Sequence, residues 1–143
     1  MKMNKRRFLA SLNHVWVRLK AGRHGVGVFA IRPIPKGVDP FKNCDPFGGV
    51  LKIPEAGLAR ADAPESVKTL VRDFCALQDG YYFVPDYGID AIDKSYFINH
   101  SDKPNLVTKD HGETFVTTRK IKSGEELTAS YDLYHETRHF VRE

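Results

Sequence analysis

The sequence predicts a mostly β fold of the α+β class, and three features of the chain lead to that prediction. Apolar and polar residues alternate over short stretches, glycine and proline residues separate these stretches, and a helical period occurs in few places. The 143 residues, 41% of them hydrophobic, suit one domain with a core of its own. No run of residues is long and apolar enough to predict a transmembrane span.

The first third of the chain predicts a β-hairpin. Apolar and polar side chains alternate in residues 15–20, a turn follows at 22–25 (GRHG), and a second strand is expected at 26–31. Prolines and a glycine at 33–37 mark the exit from that strand. Further strands are predicted at 81–84, 115–118 and 126–130.

Two segments have the spacing of helices. Pro64 and Glu65 are typical of a first helical turn, and the apolar residues from Val67 to Leu77 follow a helical period, so a helix is predicted at 64–78. A second helix is expected at about 133–141. The predicted organisation is a basic N-terminal arm, residues 1–12, followed by a single domain, residues 13–143, with a middle insert at about 42–80.

Charge and cysteine content restrict the classes of function. The net charge of +4 permits a nucleic acid or another acidic partner. The basic residues lack interleaved aromatics, and no helix-turn-helix pattern is present, so we do not expect nucleic acid as a direct ligand. Cys44 and Cys75 are isolated and no C-x-x-C pair occurs, so we expect no metal site and a reducing environment.

The N-terminal residues also bear on location. The chain begins with basic residues and a short apolar stretch, as a signal peptide does, but Asn13, His14 and Arg18 interrupt that stretch. We therefore expect an intracellular protein, cytoplasmic or nuclear, that does not act on a membrane.

Three segments carry the strongest functional information. Residues 99–105 (NHSDKPN) place two amides, an imidazole and a hydroxyl around one proline, and residues 124–131 (GEELTASY) form a turn and a short strand that ends on a tyrosine. Upstream, residues 23–30 (RHGVGVFA) precede a second turn at 34–37 (IPKG). In this order the segments resemble the signatures of the SET-domain protein lysine methyltransferases, N-H-S-x-x-P-N and G-E-E-L-T-x-x-Y.

The resemblance implies a fold, an activity and a cofactor. The fold would be a SET fold of several small β-sheets with a knot-like crossing near the C-terminus and one or two short helices. The activity would be transfer of a methyl group from S-adenosylmethionine to a lysine of a protein substrate, histone or non-histone. The alternative is a catalytically degenerate SET module that binds a protein or the cofactor without transferring a methyl group.

Residue roles follow from matching the family's motifs. Tyr131 takes the position of the catalytic tyrosine, and Asn99 and His100 take that of the pair that contacts the cofactor. Gly25 and Gly27 lack a Cβ atom, so a ligand can approach the backbone of residues 24–27 closely. The residues expected at the cofactor are His24, Gly25, Val26, Gly27, Asn99, His100, Tyr131, Tyr134 and Phe140, and those expected to line the lysine channel are Tyr87, Tyr96 and Phe97.

The chain also departs from the family's pattern. Asp102 stands where many members have a cysteine, and no cysteine-rich segment follows Tyr131. A residue of the tail, Tyr134 or Phe140, is our hypothesis for the aromatic that covers the adenine instead. Glu125 and Glu126 are adjacent in a strand and point to opposite faces, so we interpret them as a solvated turn and not as an acid/base pair.

Overall fold

The structure is a computed structural model that describes residues 3–42 and 49–135. Within these residues the protein is a mixed α+β fold with three small sheets and three α-helices of ten residues or fewer. The helices are α1 (Lys5–Ser11), α2 (Glu55–Arg60) and α3 (Glu65–Phe74). The strands are β1 (Val17–Gly22), β2 (Gly25–Ala30), β3 (Val50–Pro54), β4 (Ala76–Gln78), β5 (Tyr81–Pro85), β6 (Asn99–His100), β7 (Leu106–Val107), β8 (Val116–Thr117) and β9 (Glu126–Ala129).

The central sheet brings distant parts of the chain together, in the order β1-β2-β9-β6. The predicted hairpin is confirmed, because β1 and β2 pair antiparallel from Val17↔Ala30 to Gly22↔Gly25. Strand β9 adds antiparallel to β2, and β6 adds parallel to β9 through Asn99↔Thr128. The two C-terminal sequence motifs therefore lie side by side, while the knot-like crossing stays a prediction.

The main hydrophobic core lies under this sheet. Alternation places Val17 inside while Arg18 and Lys20 remain exposed, as the sequence predicts. Val28 and Leu127 are fully buried opposite each other in the β2–β9 pair. Core residues also come from the loops and from β7, namely Ile34, Phe41, Ile98, Leu106, Phe115 and Ile121.

A second, smaller core lies between helix α3 and the sheet β3-β5-β4. Its buried residues are Val71, Cys75, Leu77 and Tyr82. The predicted helix at 64–78 is wrong at its end, because the helix ends at Phe74 and Cys75 has an extended backbone. Leu77 belongs to β4 and pairs with Tyr82, so the three residues that follow Cys75 gain a strand ladder in place of another helical turn.

Both ends of the described part of the chain contain a short helical segment. The basic arm contains α1, which buries no side chain and is capped by Asn4, whose side chain accepts from the Arg7 N–H. The C-terminal helix does not begin at Leu133, because residues Tyr131–Leu133 form a 3-10 helix and Tyr134 has φ −150°. Phe140 lies outside the described residues, as does the rest of the expected helix from 136. None of the described helices is long and apolar enough to cross a membrane.

Candidate active site

Tyr131 joins the two C-terminal motifs. It lies two residues after the end of β9, and its backbone N–H donates to His100 Nδ1 at 3.0 Å. Its hydroxyl donates to the carbonyl oxygen of Ile98 at 2.6 Å, and the ring meets His100 edge-on with centroids 5.3 Å apart. Both ends of the tyrosine are thus fixed by the segment that contains Asn99 and His100.

The same hydrogen bonds determine the tautomer of His100. Because Nδ1 accepts from the Tyr131 N–H, the ring proton lies on Nε2, which is 3.1 Å from Asp102 Oδ1. Asp102, the residue at the position of the family's cysteine, therefore orients the imidazole. This arrangement makes His100 a support for the Tyr131 backbone.

Burial keeps the Tyr131 hydroxyl protonated. Desolvation, followed by the charge of Glu126, raises the pKa of Tyr131 to about 12. A phenol with such a pKa is neutral near pH 7 and cannot act as a general base there. It can orient a partner through its hydroxyl dipole, since an O–H group both donates and accepts hydrogen bonds.

An elongated cleft of about 830 Å³ opens beside Tyr131. One wall comes from the central core and the other from α3, β4 and β5. Desolvation raises the pKa of the Asp39 carboxyl in this wall, although the Phe41 N–H donates to it. The aromatic residues of the cleft are Phe41, Phe74, Phe83, Tyr96, Phe115, Tyr131 and Tyr134.

A second group of polar atoms gathers where β2, β6 and β9 meet. Asn99 Nδ2 donates to Glu126 Oε2 at 2.8 Å and more weakly to the Val26 carbonyl oxygen at 3.4 Å. Gly27 lies beneath this pair, and a Cβ atom there would overlap Glu126 Oε2 and lie 2.9 Å from Asn99 Nδ2. His24 and Gly25 are at the exposed turn of the hairpin, where Gly25 has φ +85°.

The comparison with protein families matches the model of the SET domain over residues 25–132. The chain belongs to the SET domain family. The match includes the β2 glycines, both C-terminal motifs and Tyr131. A comparison with curated proteins gives no match.

Two solved structures resemble this SET domain. A humanized mutant of the Chaetomium thermophilum Polycomb Repressive Complex 2, bound to the inhibitor GSK126, is 24% identical with a TM-score of 0.55. That match covers 87% of this chain and 16% of the other chain, so this SET domain spans about a sixth of that protein. A Plasmodium falciparum protein, provisionally assigned as a histone methyltransferase, is 19% identical with a TM-score of 0.46, covering 82% of this chain and 93% of its own. The likeness to the Chaetomium thermophilum structure, at 24% identity, shows the fold alone.

The residues expected to line the lysine channel separate in the structure of this SET domain. Tyr96 lines the cleft beside Tyr131. Phe97 packs against Phe74 at 5.0 Å and lines a different, smaller cavity of about 470 Å³ that also includes Trp16. Tyr87 is 65% exposed and lines neither cavity. The structure thus brings one of the three expected residues to the cleft beside Tyr131.

Tyr134 lies in the wall of the cleft. Its ring packs edge-on against Phe115 at 5.2 Å and Tyr131 at 5.6 Å, and it covers Gly112. Desolvation raises the pKa of Tyr134 well above its ordinary value. The structure therefore places Tyr134 with the cleft, and we find no described contact between it and Asn99 or the hairpin residues 24–27. Whether Phe140 covers the adenine stays a prediction.

The sequence interpretation of Glu125 and Glu126 as a solvated turn is incomplete, because each half-buried carboxylate also has a partner in the protein. Glu125 pairs with Arg119 and accepts from the Lys122 N–H at 3.1 Å, and the hydrogen bond from Arg119 lowers the pKa of its carboxyl. Glu126 holds Asn99. Their separate partners agree with the rejection of an acid/base pair. Periodicity could not have revealed these contacts, because Asn99 and Glu126 are 27 residues apart.

The remaining candidates for chemistry are few. Cys75 is a buried free cysteine in the wall of the cleft, and desolvation raises the pKa of its thiol to about 12, so it is not a thiolate nucleophile near neutral pH. Within residues 3–42 and 49–135, no group of three or more His, Cys, Asp or Glu side chains is arranged to hold a metal ion.

Proposed function

We propose that this SET domain is a protein-lysine N-methyltransferase that uses S-adenosylmethionine. The observation that carries the proposal is the position of Tyr131. Its neutral phenol is fixed by the Ile98–His100 segment on one side and borders an aromatic cleft on the other. Such a site can align a lysine amine with a methyl donor, which is mainly a problem of orientation.

The group of atoms at β2, β6 and β9 fits the amino-acid end of that cofactor. The Asn99 amide oxygen is a hydrogen-bond acceptor that suits an α-ammonium group, while the NH₂ group of the same amide donates to the Glu126 carboxylate and, more weakly, to the Val26 carbonyl. The exposed backbone of His24, Gly25 and Val26 leaves room for a ligand to approach. When bound, the cofactor supplies an activated methyl group on a sulfonium.

The lysine substrate must lose its proton before it can accept a methyl group. With an ordinary pKa near 10.4, neutralising the amine at pH 7 costs about 4 to 5 kcal/mol. The buried aromatic residues beside Tyr131 reduce that cost, because desolvation disfavours the charged form of lysine. The Tyr131 hydroxyl, as a dipole and not as a base, orients the neutral amine.

The proposed partner is a protein that presents a lysine, histone or non-histone, and the proposed location is inside the cell. The peptide would lie as an extended segment over the cleft, as many peptides do beside a strand. A binding module without transfer is the competing function, and Tyr131 separates the two, since only a transferase depends on its hydroxyl.

The test is transfer of a labelled methyl group from S-adenosylmethionine to a mixed protein extract. We expect Tyr131→Phe to reduce transfer by on the order of 100-fold, because it removes a positioned hydroxyl at the reacting atoms. Cofactor affinity, measured by calorimetry, should stay within about threefold, since the backbone bond to His100 is retained.

Tyr87→Phe is the matched control, because Tyr87 is 65% exposed and lies outside the cleft. It should leave transfer unchanged. Binding of the cofactor by the wild type with no transfer to any protein, or equal transfer by the wild type and Tyr131→Phe, would contradict the proposal.

A further inference from the structure

Glu126 is a charged side chain at the site to which the family's motif roles assign no function here. Its neighbour Glu125 is neutralised by Arg119, whereas the described residues provide no Lys, Arg or His partner for Glu126. Its contact is the amide of Asn99, with Nδ2 and Oε2 2.8 Å apart. The half-buried carboxylate accepts a hydrogen bond from a neutral amide, and this hydrogen bond fixes the orientation of the amide.

The orientation has a direct consequence for Asn99. The two acceptors near Nδ2, Glu126 Oε2 and the Val26 carbonyl, draw the NH₂ group toward β2 and β9. The Asn99 Oδ1 atom must then point the other way, and no described residue donates a hydrogen bond to it. A flipped amide would place Oδ1 against a carboxylate, which is unfavourable because both atoms are acceptors.

Gly27 shows that the pair is packed tightly against the sheet. Because a Cβ atom at this position would overlap Glu126 Oε2 and come within 2.9 Å of Asn99 Nδ2, the two side chains fill the space that a larger residue would occupy. The glycine therefore serves the contact between Asn99 and Glu126, in addition to any contact with a ligand.

We propose that Glu126 is a positioning residue that holds the Asn99 amide oxygen toward the cationic amino-acid end of the methyl donor. This inference rests on the proposed function. A wrongly turned Asn99 would present NH₂ protons to an ammonium group, so Glu126 gives the site its preference for ligands that carry that end. The affinity for ligands without the amino-acid end does not depend on this orientation.

The test compares two probes, S-adenosylhomocysteine, which carries the α-ammonium group, and methylthioadenosine, which lacks the amino-acid part. Calorimetry should show that Glu126→Gln weakens binding of S-adenosylhomocysteine by on the order of tenfold, while binding of methylthioadenosine is unchanged. Gly27→Ala should give the same selective loss, because its Cβ displaces the pair. Glu125→Gln, the matched control, should change neither affinity.

A second measurement works without a ligand. The side-chain amide resonance of Asn99, identified by its loss in Asn99→Asp, should shift in Glu126→Gln and stay in place in Glu125→Gln. Equal weakening of both probes, no weakening, or an unmoved Asn99 resonance would overturn the inference. If the wild type binds S-adenosylhomocysteine but transfers no methyl group, the proposed function alone is contradicted. If the wild type binds neither probe, both the proposed function and this inference are contradicted.

Discussion

At the scale of single residues, burial decides what Tyr131 can do. Its hydroxyl donates to Ile98 and its pKa is raised to about 12, first by desolvation and then by Glu126. The raised pKa means that the folded protein holds this proton more tightly than the unfolded chain. The contribution of this pKa shift to the stability of the folded protein is fully present below pH 10, the ordinary pKa of tyrosine. It is lost as the pH rises from about 10 to about 12.

This raised pKa gives a prediction for an alkaline titration of phenolate absorbance. Wild type and Tyr131→Phe should gain the same absorbance up to about pH 11, because Tyr131 does not ionise in that range while the protein is folded. The difference of one tyrosine should appear only at higher pH or after unfolding. Loss of one tyrosine's absorbance in Tyr131→Phe already near pH 10 would contradict the burial argument.

Motif matching predicted some residues of the site and missed others for a clear reason. The positions of Tyr131, Asn99 and His100 in two motifs led to the expectation that they meet, and the structure brings them together. Glu126 was missed because a sequence does not show which side chain lies across a parallel strand pair. Tyr87 and Phe97 were placed at the channel on their aromatic character, which does not fix the direction in which a side chain points.

At the scale of elements, Asn105 connects the loop after β6 to the rest of the central sheet. It is 3% exposed, and its amide donates to the Glu126 carbonyl at 2.9 Å and accepts from the Thr128 N–H at 2.8 Å. Its own carbonyl accepts from the Thr118 N–H at 3.0 Å. The Asn105 side chain thus forms hydrogen bonds with β9 that a longer partner strand would otherwise form.

The prediction is that Asn105→Ala destabilises the protein by about 2 to 4 kcal/mol, because it leaves two buried backbone groups of β9 without partners. Asn4→Ala removes another side-chain acceptor, the cap of α1, but that helix buries nothing, so its effect should stay below about 1 kcal/mol. Urea denaturation of both variants gives the comparison. Equal losses of unfolding free energy in the two variants would show that Asn105 does not connect these elements.

The same scale shows which elements a sequence can predict. Strands β2, β5 and β9 were expected within a residue or two, since alternation and flanking glycines define them locally. Strands β6 and β7 are two residues long and exist through pairing, which no local pattern reveals, whereas β8, of the same length, lies within the strand expected at 115–118. The position of Leu77 fits both a helical period from Phe74 and the inward face of a strand. The strand forms because this segment pairs with β5.

At the scale of the whole molecule, the cleft depends on two cores. Tyr131 and Tyr134 belong to the wall on the central core, whereas Phe74, Cys75 and Tyr96 belong to the wall on the second. The middle region that supplies the second wall was predicted only as an insert of irregular structure with one helix. Its role could not be predicted, because the partners of α3 and β4 lie far away in the sequence.

Two contacts across the cores predict that they unfold together. The Leu77 N–H donates to His135 Nδ1 at 2.9 Å, and Phe74 packs on Phe97, which contacts the central core. Trp16, the only tryptophan, packs against the central core and is a probe for it alone. Leu77→Ala, a change in the second core, should cost about 2 to 5 kcal/mol because Leu77 is 1% exposed.

We expect Leu77→Ala to lower the urea midpoint of Trp16 fluorescence and of far-ultraviolet circular dichroism by the same amount, since one cooperative transition moves all probes together. Leu51→Ala, at a residue that is 50% exposed on β3, should change the free energy of unfolding by less than about 1 kcal/mol, and both midpoints should move little. If the Trp16 midpoint stays at the wild-type value while the dichroism loses an early phase, the two cores are independent. The cleft between them would then open without unfolding of the central sheet, and the alignment of lysine at Tyr131 would need another source of rigidity.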